Sequence, residues 1–145
     1  MTYLTGAVMS SNLVSISEER DIDTAESLMK VNRIRHLPVV NQNNELSGIL
    51  SAKDVVKVKD KKQAIKSVMT APVKVVRKDS NIKSVIELML RNKISSILVA
   101  DSEDIVGIVT TDDLLRLLTQ VLTDSDDLEN TDIGSFFDES WKSYN

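Results

Sequence analysis

Two short segments of the chain set a small hydroxyl residue three positions after a glycine and a carboxylate three positions after that. They are Gly48-Ile49-Leu50-Ser51-Ala52-Lys53-Asp54 and Gly107-Ile108-Val109-Thr110-Thr111-Asp112-Asp113. In each, an apolar strand-like run passes into a helical pattern. A helix N-terminus gathers free N–H groups and the positive end of the helix dipole, which favours phosphate. A Ser or Thr hydroxyl there can bond a phosphate or a ribose. A carboxylate one turn on faces the same way and can accept both hydroxyls of a ribose diol. The same residues also fit ordinary capping, with Ser51 or Thr110 as N-cap and an acid in the first turn. What favours binding over capping is that the pattern occurs twice, at matching places.

Those places belong to an internal repeat, and a repeat decides architecture before any local reading does. Val8-Met9-Ser10 returns as Val68-Met69-Thr70, and Asn32 to Val40 returns as Asn92 to Ala100. The offset is 60 at the methionines and asparagines and 59 at the glycines. Each repeat reads as strand, helix, strand, strand, helix. In the first, a strand is expected over 13–16, then a helix capped by Asp21 with Ile22, Ala25, Leu28 and Met29 on one face. Residues 37–40 form the next strand, which Pro38 places at an edge or at a strand start, because proline cannot donate to a ladder. A turn follows at 41–44, a third strand at 46–50 and a short helix from Asp54. The second repeat gives a strand over 73–76 and a helix capped by Asn81 with Ile82, Val85, Ile86 and Met89 inward. Apolar strands follow over 97–99 and 105–109, of the kind buried on both faces. The closing helix carries an apolar stripe over 114–122, as core or dimer interface. The lysine-rich run 56–66 reads as a solvated connector helix or as a positive rim beside an anionic ligand. Neither unit can bury both faces alone, so the two should pack together. The divisions are 1–62, 63–122 and a tail of 123–145.

Composition narrows the chemistry. The 145 residues contain no cysteine and one histidine, His36. Thiolate chemistry, disulfides and cysteine metal sites are excluded, and with one histidine the two repeats cannot each hold a Ser-His-Asp triad. No nucleophile with a base and no metal cluster is visible, so an enzyme is the weakest reading. No run approaches the roughly 18–20 apolar residues of a membrane span, and no charged-then-apolar leader opens the chain. The expectation is a soluble, unexported, cytoplasmic protein without a membrane partner. The tail carries seven acids against Lys142, a net −6, which leaves +2 on the rest of a chain whose total is −4. A near-neutral body with one short basic run and no interleaved aromatics argues against nucleic acid. Phe136, Phe137, Trp141 and Tyr144 lie in the tail and only Tyr3 lies outside it, so a pocket in the body must work without aromatic stacking. The tail fits either a solvated segment or a docking element for a protein partner or for the chain's own surface.

The ordered landmarks Val68-Met69-Thr70, Leu37-Pro38-Val39-Val40 and Gly107-Ile108-Val109-Thr110 with Asp113 resemble the cystathionine-beta-synthase (CBS) domain. Both halves carry the pattern, as in the tandem pair called a Bateman module, and the resemblance covers roughly 3–122. It implies an α/β (α+β) fold of two β-α-β-β-α units packed about a pseudo-twofold axis, a regulatory rather than catalytic role, and a homodimer. It implies clefts between the units for an adenosyl ligand: AMP, ADP, ATP, S-adenosylmethionine, NAD or cyclic di-AMP, with no obligatory cofactor. By that resemblance one cleft centres on Asp54 with Ser51, the other on Asp113 with Thr110. The aspartates would take the ribose hydroxyls. Ile49 and Ile108 would pack on the base. Asn12 to Val14 and Thr70 to Val73 would supply its other wall. Arg35 and His36 stand where the family often has basic residues reaching phosphate, and Ser95 and Ser96 replace them in the second repeat. The clefts should therefore differ in affinity. Asp112 beside Asp113, where the first repeat has Lys53, disfavours ATP more than AMP at the Asp113 cleft. Two functions remain open: an adenine-nucleotide sensor, or a ligand-free dimerisation scaffold whose output is the tail.

Overall fold

A computed structural model describes residues 2–124 of the chain. The tail beyond Asp124, with its aromatics, lies outside the described residues.

The chain opens on a short helix α1 (Thr5–Val8), then builds β1 (Ile16–Ser17), α2 (Ile22–Asn32), β2 (His36–Val40), β3 (Leu46–Ser51) and α3 (Ala52–Lys57). A single 3₁₀ turn (Ile65–Ser67) leads into β4 (Val75–Arg77), α4 (Ile82–Asn92), β5 (Ser96–Asp101), β6 (Asp104–Thr110) and α5 (Thr111–Thr123). Two three-stranded sheets result, ordered β1-β2-β3 and β4-β5-β6, each with a parallel and an antiparallel pairing.

Local chemistry explains the helix limits. Asp21 accepts from the Thr24 amide at 2.9 Å, and Asn81 from the Lys83 amide at 2.9 Å; such a cap contributes about 1 kcal/mol. The helices α2 and α4 each stop at a left-handed residue, Arg33 and Lys93, both at φ 54°. The side chains of Asn32 and Asn92 donate back to the carbonyls of Leu28 and Leu88. The repeat is thus kept down to its caps.

Each unit has its own core. Ile22, Leu37, Val39, Leu50 and Ile65 are fully buried in the first; Val85, Ile97, Val99 and Val109 are buried in the second. Each fully buried aliphatic contributes about 1.5–3 kcal/mol. The segments that lead into the repeats are exchanged. Tyr3, Val8 and Met9 pack on the second core, while Val68 and Met69 pack on the first. Isolated bridges record the exchange as related pairs: Ser10 with Ile108, Ile49 with Thr70, Leu4 with Asn81 and Asp21 with Ala64. Gly107 and Gly48 make room for it. A Cβ at Gly107 would lie 2.9 Å from Met9 Cγ and 3.0 Å from the Ser10 carbonyl oxygen, and Gly48 faces Met69 and Thr70 in the same way.

Four expectations are corrected. Pro38 lies buried in the middle of a central strand, not at an edge or a strand start. In the second repeat Leu98, its counterpart, donates to Lys74. β1 begins only at Ile16, opposite Val39, so the rung proline cannot make is never offered. Residues 13–15 and 73–74 fall outside the first strands of the two repeats. The short helix begins at Ala52, so Asp54 sits inside its first turn. Finally, 58–64 is not helical, and its lysines form no rim to a ligand cleft. Lys61 bonds the Val55 carbonyl and pairs with Glu26, Lys62 pairs with Asp23 at 3.1 Å, and Lys66 with Glu19 at 3.1 Å. The hydrogen bond to Asp23 raises the Lys62 ammonium above its ordinary value. The connector is clamped along the acidic side of the first unit.

Candidate functional site

Both Gly-x-x-Ser/Thr-x-x-Asp turns form complete capping boxes. The Ser51 hydroxyl accepts from the Asp54 amide, and the Asp54 carboxylate accepts from the Ser51 amide at 3.0 Å. Thr110 and Asp113 repeat this, with the Thr110 amide donating at 2.8 Å. The capping chemistry is therefore present at both. The surroundings separate the two turns.

At the second turn, the crossed lead-in brings Ser10 to Asp113, and its hydroxyl donates to Oδ1 at 2.7 Å. Arg116 donates to the same oxygen at 2.5 Å, and the Thr110 amide and hydroxyl fill Oδ2. Asp113 is 4% exposed and saturated. At the first turn, Asp54 is half-buried, and the Ser51 amide donates to one of its oxygens.

Beside Asp113 a cavity of about 610 Å³ opens between the repeats. That volume suits a small-molecule ligand. Asn12, Leu13 and Val14 form one wall, released from β1 by its late start, and Ile108 lies on the β6 side. Arg33, Arg35 and His36 come from the end of α2 and the start of β2, with Pro38 behind them. Ser51, Ala52 and Lys53 close the first-repeat side. Ser95, Thr110, Asp112 and Arg116 close the second-repeat side. Four side-chain cations thus face one carboxylate, a field that favours an anionic group.

Two contacts cross the cleft. Arg35 Nη2 pairs with Asp112 at 3.1 Å, so the extra carboxylate is partly neutralised from the opposite repeat. His36 Nε2 shares a 2.9 Å hydrogen bond with Ser95 Oγ. Burial pushes the His36 imidazole below its ordinary value and Arg35 adds to this, while Asp112 and Asp54 oppose it.

Of the residues expected from the sequence, the cavity gathers Asn12, Val14, Arg35, His36, Ser51, Ser95, Ile108 and Thr110. Asp113 lies behind it, bordering a smaller cavity of about 290 Å³ beside Tyr3 and Gln120, and Arg116 lines both. Ile49, Asp54, Thr70, Val73 and Ser96 do not line the larger cavity; Ile49 and Thr70 meet at the related bridge on the other side. Ser10 and Arg116 were missed by sequence reasoning. Ser10 had a signal, since the repeat aligns it with Thr70. Arg116 had none beyond its position three residues after Asp113. Among the described residues no cluster of metal-ligating side chains occurs, and no helix is long and apolar enough to cross a membrane.

The family model for the CBS domain matches the chain twice, over 6–61 and 65–120. Inosine-5'-monophosphate dehydrogenase of Methanocaldococcus jannaschii is 30% identical over 110 residues, 75% of this chain and 22% of that enzyme. Homoserine O-acetyltransferase of Methanosarcina acetivorans is 33% identical over 116 residues, 79% of this chain and again 22% of the enzyme. The chain therefore spans under a quarter of these relatives. Among solved structures, the CBS domain pair of protein MJ0100 in complex with 5'-methylthioadenosine and S-adenosyl-L-methionine superposes with a TM-score of 0.77 at 28% identity, covering 83% of this chain and 99% of that one. CBSX2 in complex with AMP gives a TM-score of 0.72 at 25% identity, covering 82% and 98%.

Proposed function

Because the chain belongs to the CBS domain family, we propose that it is a regulatory module that binds an adenosyl ligand in the cleft beside Asp113. The observation that carries this reading is the composite build of that cleft. One wall comes from the lead-in of the first repeat, the polar turn from the second, and Arg33, Arg35 and His36 from the α2–β2 turn of the first. A ligand there touches both units at once, so its binding depends on how they are placed against one another. Val14 and Ile108 offer apolar contact to a base, Arg35, His36 and Lys53 face an anionic tail, and the Asp113 carboxylate takes the ribose diol. To reach Asp113 the diol must replace Ser10 and Arg116 at Oδ1, which frees Arg116 to turn toward the tail of the ligand. A ligand shifts the arrangement only as far as its affinity for the two arrangements differs. A regulatory rather than catalytic role is supported by the matched segment being 22% of each enzyme relative.

The second reading, a homodimeric scaffold that needs no ligand, rests on α5. Leu115, Leu118, Val121 and Leu122 are 41–57% exposed along this helix, and the saturated Asp113 would then be a cap alone. Calorimetric titration of the full-length chain with AMP, ADP, ATP, S-adenosylmethionine, NAD and cyclic di-AMP separates the two. The sensor gives saturable heat with at least one of them, and the scaffold gives none while remaining a folded dimer.

A further inference from the structure

The cleft and the tail have matching chemistry. The cleft pairs apolar walls with the cations Arg33, Arg35, Lys53 and Arg116. The tail contains Phe136-Phe137-Asp138-Glu139, an aromatic pair joined directly to two acids, within a segment of net charge −6. A nucleotide has the same two-part character, a flat ring joined to anions. Arg33 and Lys53 make no ion pair among the described residues, so their charge is available to an incoming anion.

Geometry permits the meeting. The cleft borders α5 at Leu115 and Arg116, and the helix runs on to Thr123. At 1.5 Å per residue, Asp124 stands roughly 12 Å along the axis from Arg116. The stretch from Asp124 to Phe136 can span up to about 40 Å, more than the return requires.

We propose that the segment Phe136 to Glu139 occupies the 610 Å³ cleft as an internal competitor of the nucleotide, its rings against the apolar walls and its carboxylates on Lys53 and Arg33. The regulatory consequence rests on the reading of that cleft as the nucleotide site: ligand expels the tail and makes it available. An attached segment acts at an effective concentration of about millimolar, so even weak docking competes.

The full-length chain supplies its own reporter, because Trp141 is the only tryptophan and lies two residues beyond Glu139. Three full-length proteins are compared: wild type, F136A/F137A and K53E. Lys53 is exposed and in the first turn of α3, where an acid is well tolerated. Without nucleotide, docking predicts that acrylamide quenches Trp141 less in wild type than in either variant. With AMP, it predicts that F136A/F137A binds about 2–10-fold tighter than wild type, and that AMP raises the quenching of wild-type Trp141. Equal quenching in all three proteins overturns the proposal, as does equal AMP affinity in wild type and F136A/F137A. If no protein takes AMP, AMP is not the ligand of the cleft, and the quenching comparison made without nucleotide still decides docking.

Discussion

The Ser10 hydroxyl donates a 2.7 Å hydrogen bond to the carboxylate of Asp113, 103 positions away in the chain. The bond exists because the lead-in of the first repeat packs on the second core. It ties a loop that walls the cleft to the turn that carries the cleft's carboxylate. A hydrogen bond to a charged group contributes about 1.5–3 kcal/mol. Ser10→Ala should therefore lower the urea unfolding free energy by about 1–3 kcal/mol; a change under about 0.5 kcal/mol would mean the bond carries no weight in joining the repeats.

Gly107 and Gly48 hold the exchange at close quarters. A methyl at Gly107 pushes on the Ser10 carbonyl as well as on Met9, and Met9 alone can move aside. Gly107→Ala should cost about 1–3 kcal/mol as overpacking. Val56→Ala, at a side chain 80% exposed, should cost under about 0.5 kcal/mol. Equal losses at the two positions would argue against the close crossing.

His36 gives the fold a pH dependence. Its folded-state pKa lies below the ordinary 6.5 through burial and Arg35. The unfolded chain thus takes up a proton first as pH falls. Stability contributed by the neutral imidazole is present above about pH 6.5 and is lost as pH falls from there through the lower folded-state value. The melting temperature of wild type should fall between pH 7.5 and 5.5 more steeply than that of His36→Gln. Parallel slopes would contradict the assignment.

The exposed apolar side of α5 should hold two chains together. Sedimentation of the full-length protein is expected to give a dimer, and L115E/L118E a folded monomer, since two charges would enter an apolar contact. A monomeric wild type would leave these leucines without that role.

Much of this was legible in the chain because the repeat compares each local signal with a second copy. Asp21 and Asn81 cap as expected, and Ile97 to Val99 form a strand buried on both faces. What was not legible depends on distant pairing. Nothing local to Val8-Met9-Ser10 says that it belongs with Gly107 rather than Gly48. Pro38 reads as an edge residue because the short reach of β1, which removes its missing partner, is a tertiary fact. The lysines of the connector look free for an anion until α2 is seen to hold acids beside them. The cleft followed the same pattern: the capping turns were plain in the sequence, whereas the joining of Arg35 to Asp112 and of His36 to Ser95 across it needed both repeats in place.

The most direct test is calorimetry with AMP on wild type, Asp113→Asn and Asp54→Asn. Asparagine keeps the volume and much of the capping at each turn while removing the charge that takes the diol. The account predicts saturable binding near one AMP per chain, weakened at least about tenfold by Asp113→Asn, the loss of one charge-assisted hydrogen bond, and changed less than about twofold by Asp54→Asn. Binding that survives Asp113→Asn and is lost in Asp54→Asn would place the ligand in the other turn, and no binding in a well-folded wild type would contradict AMP as the ligand of the Asp113 cleft.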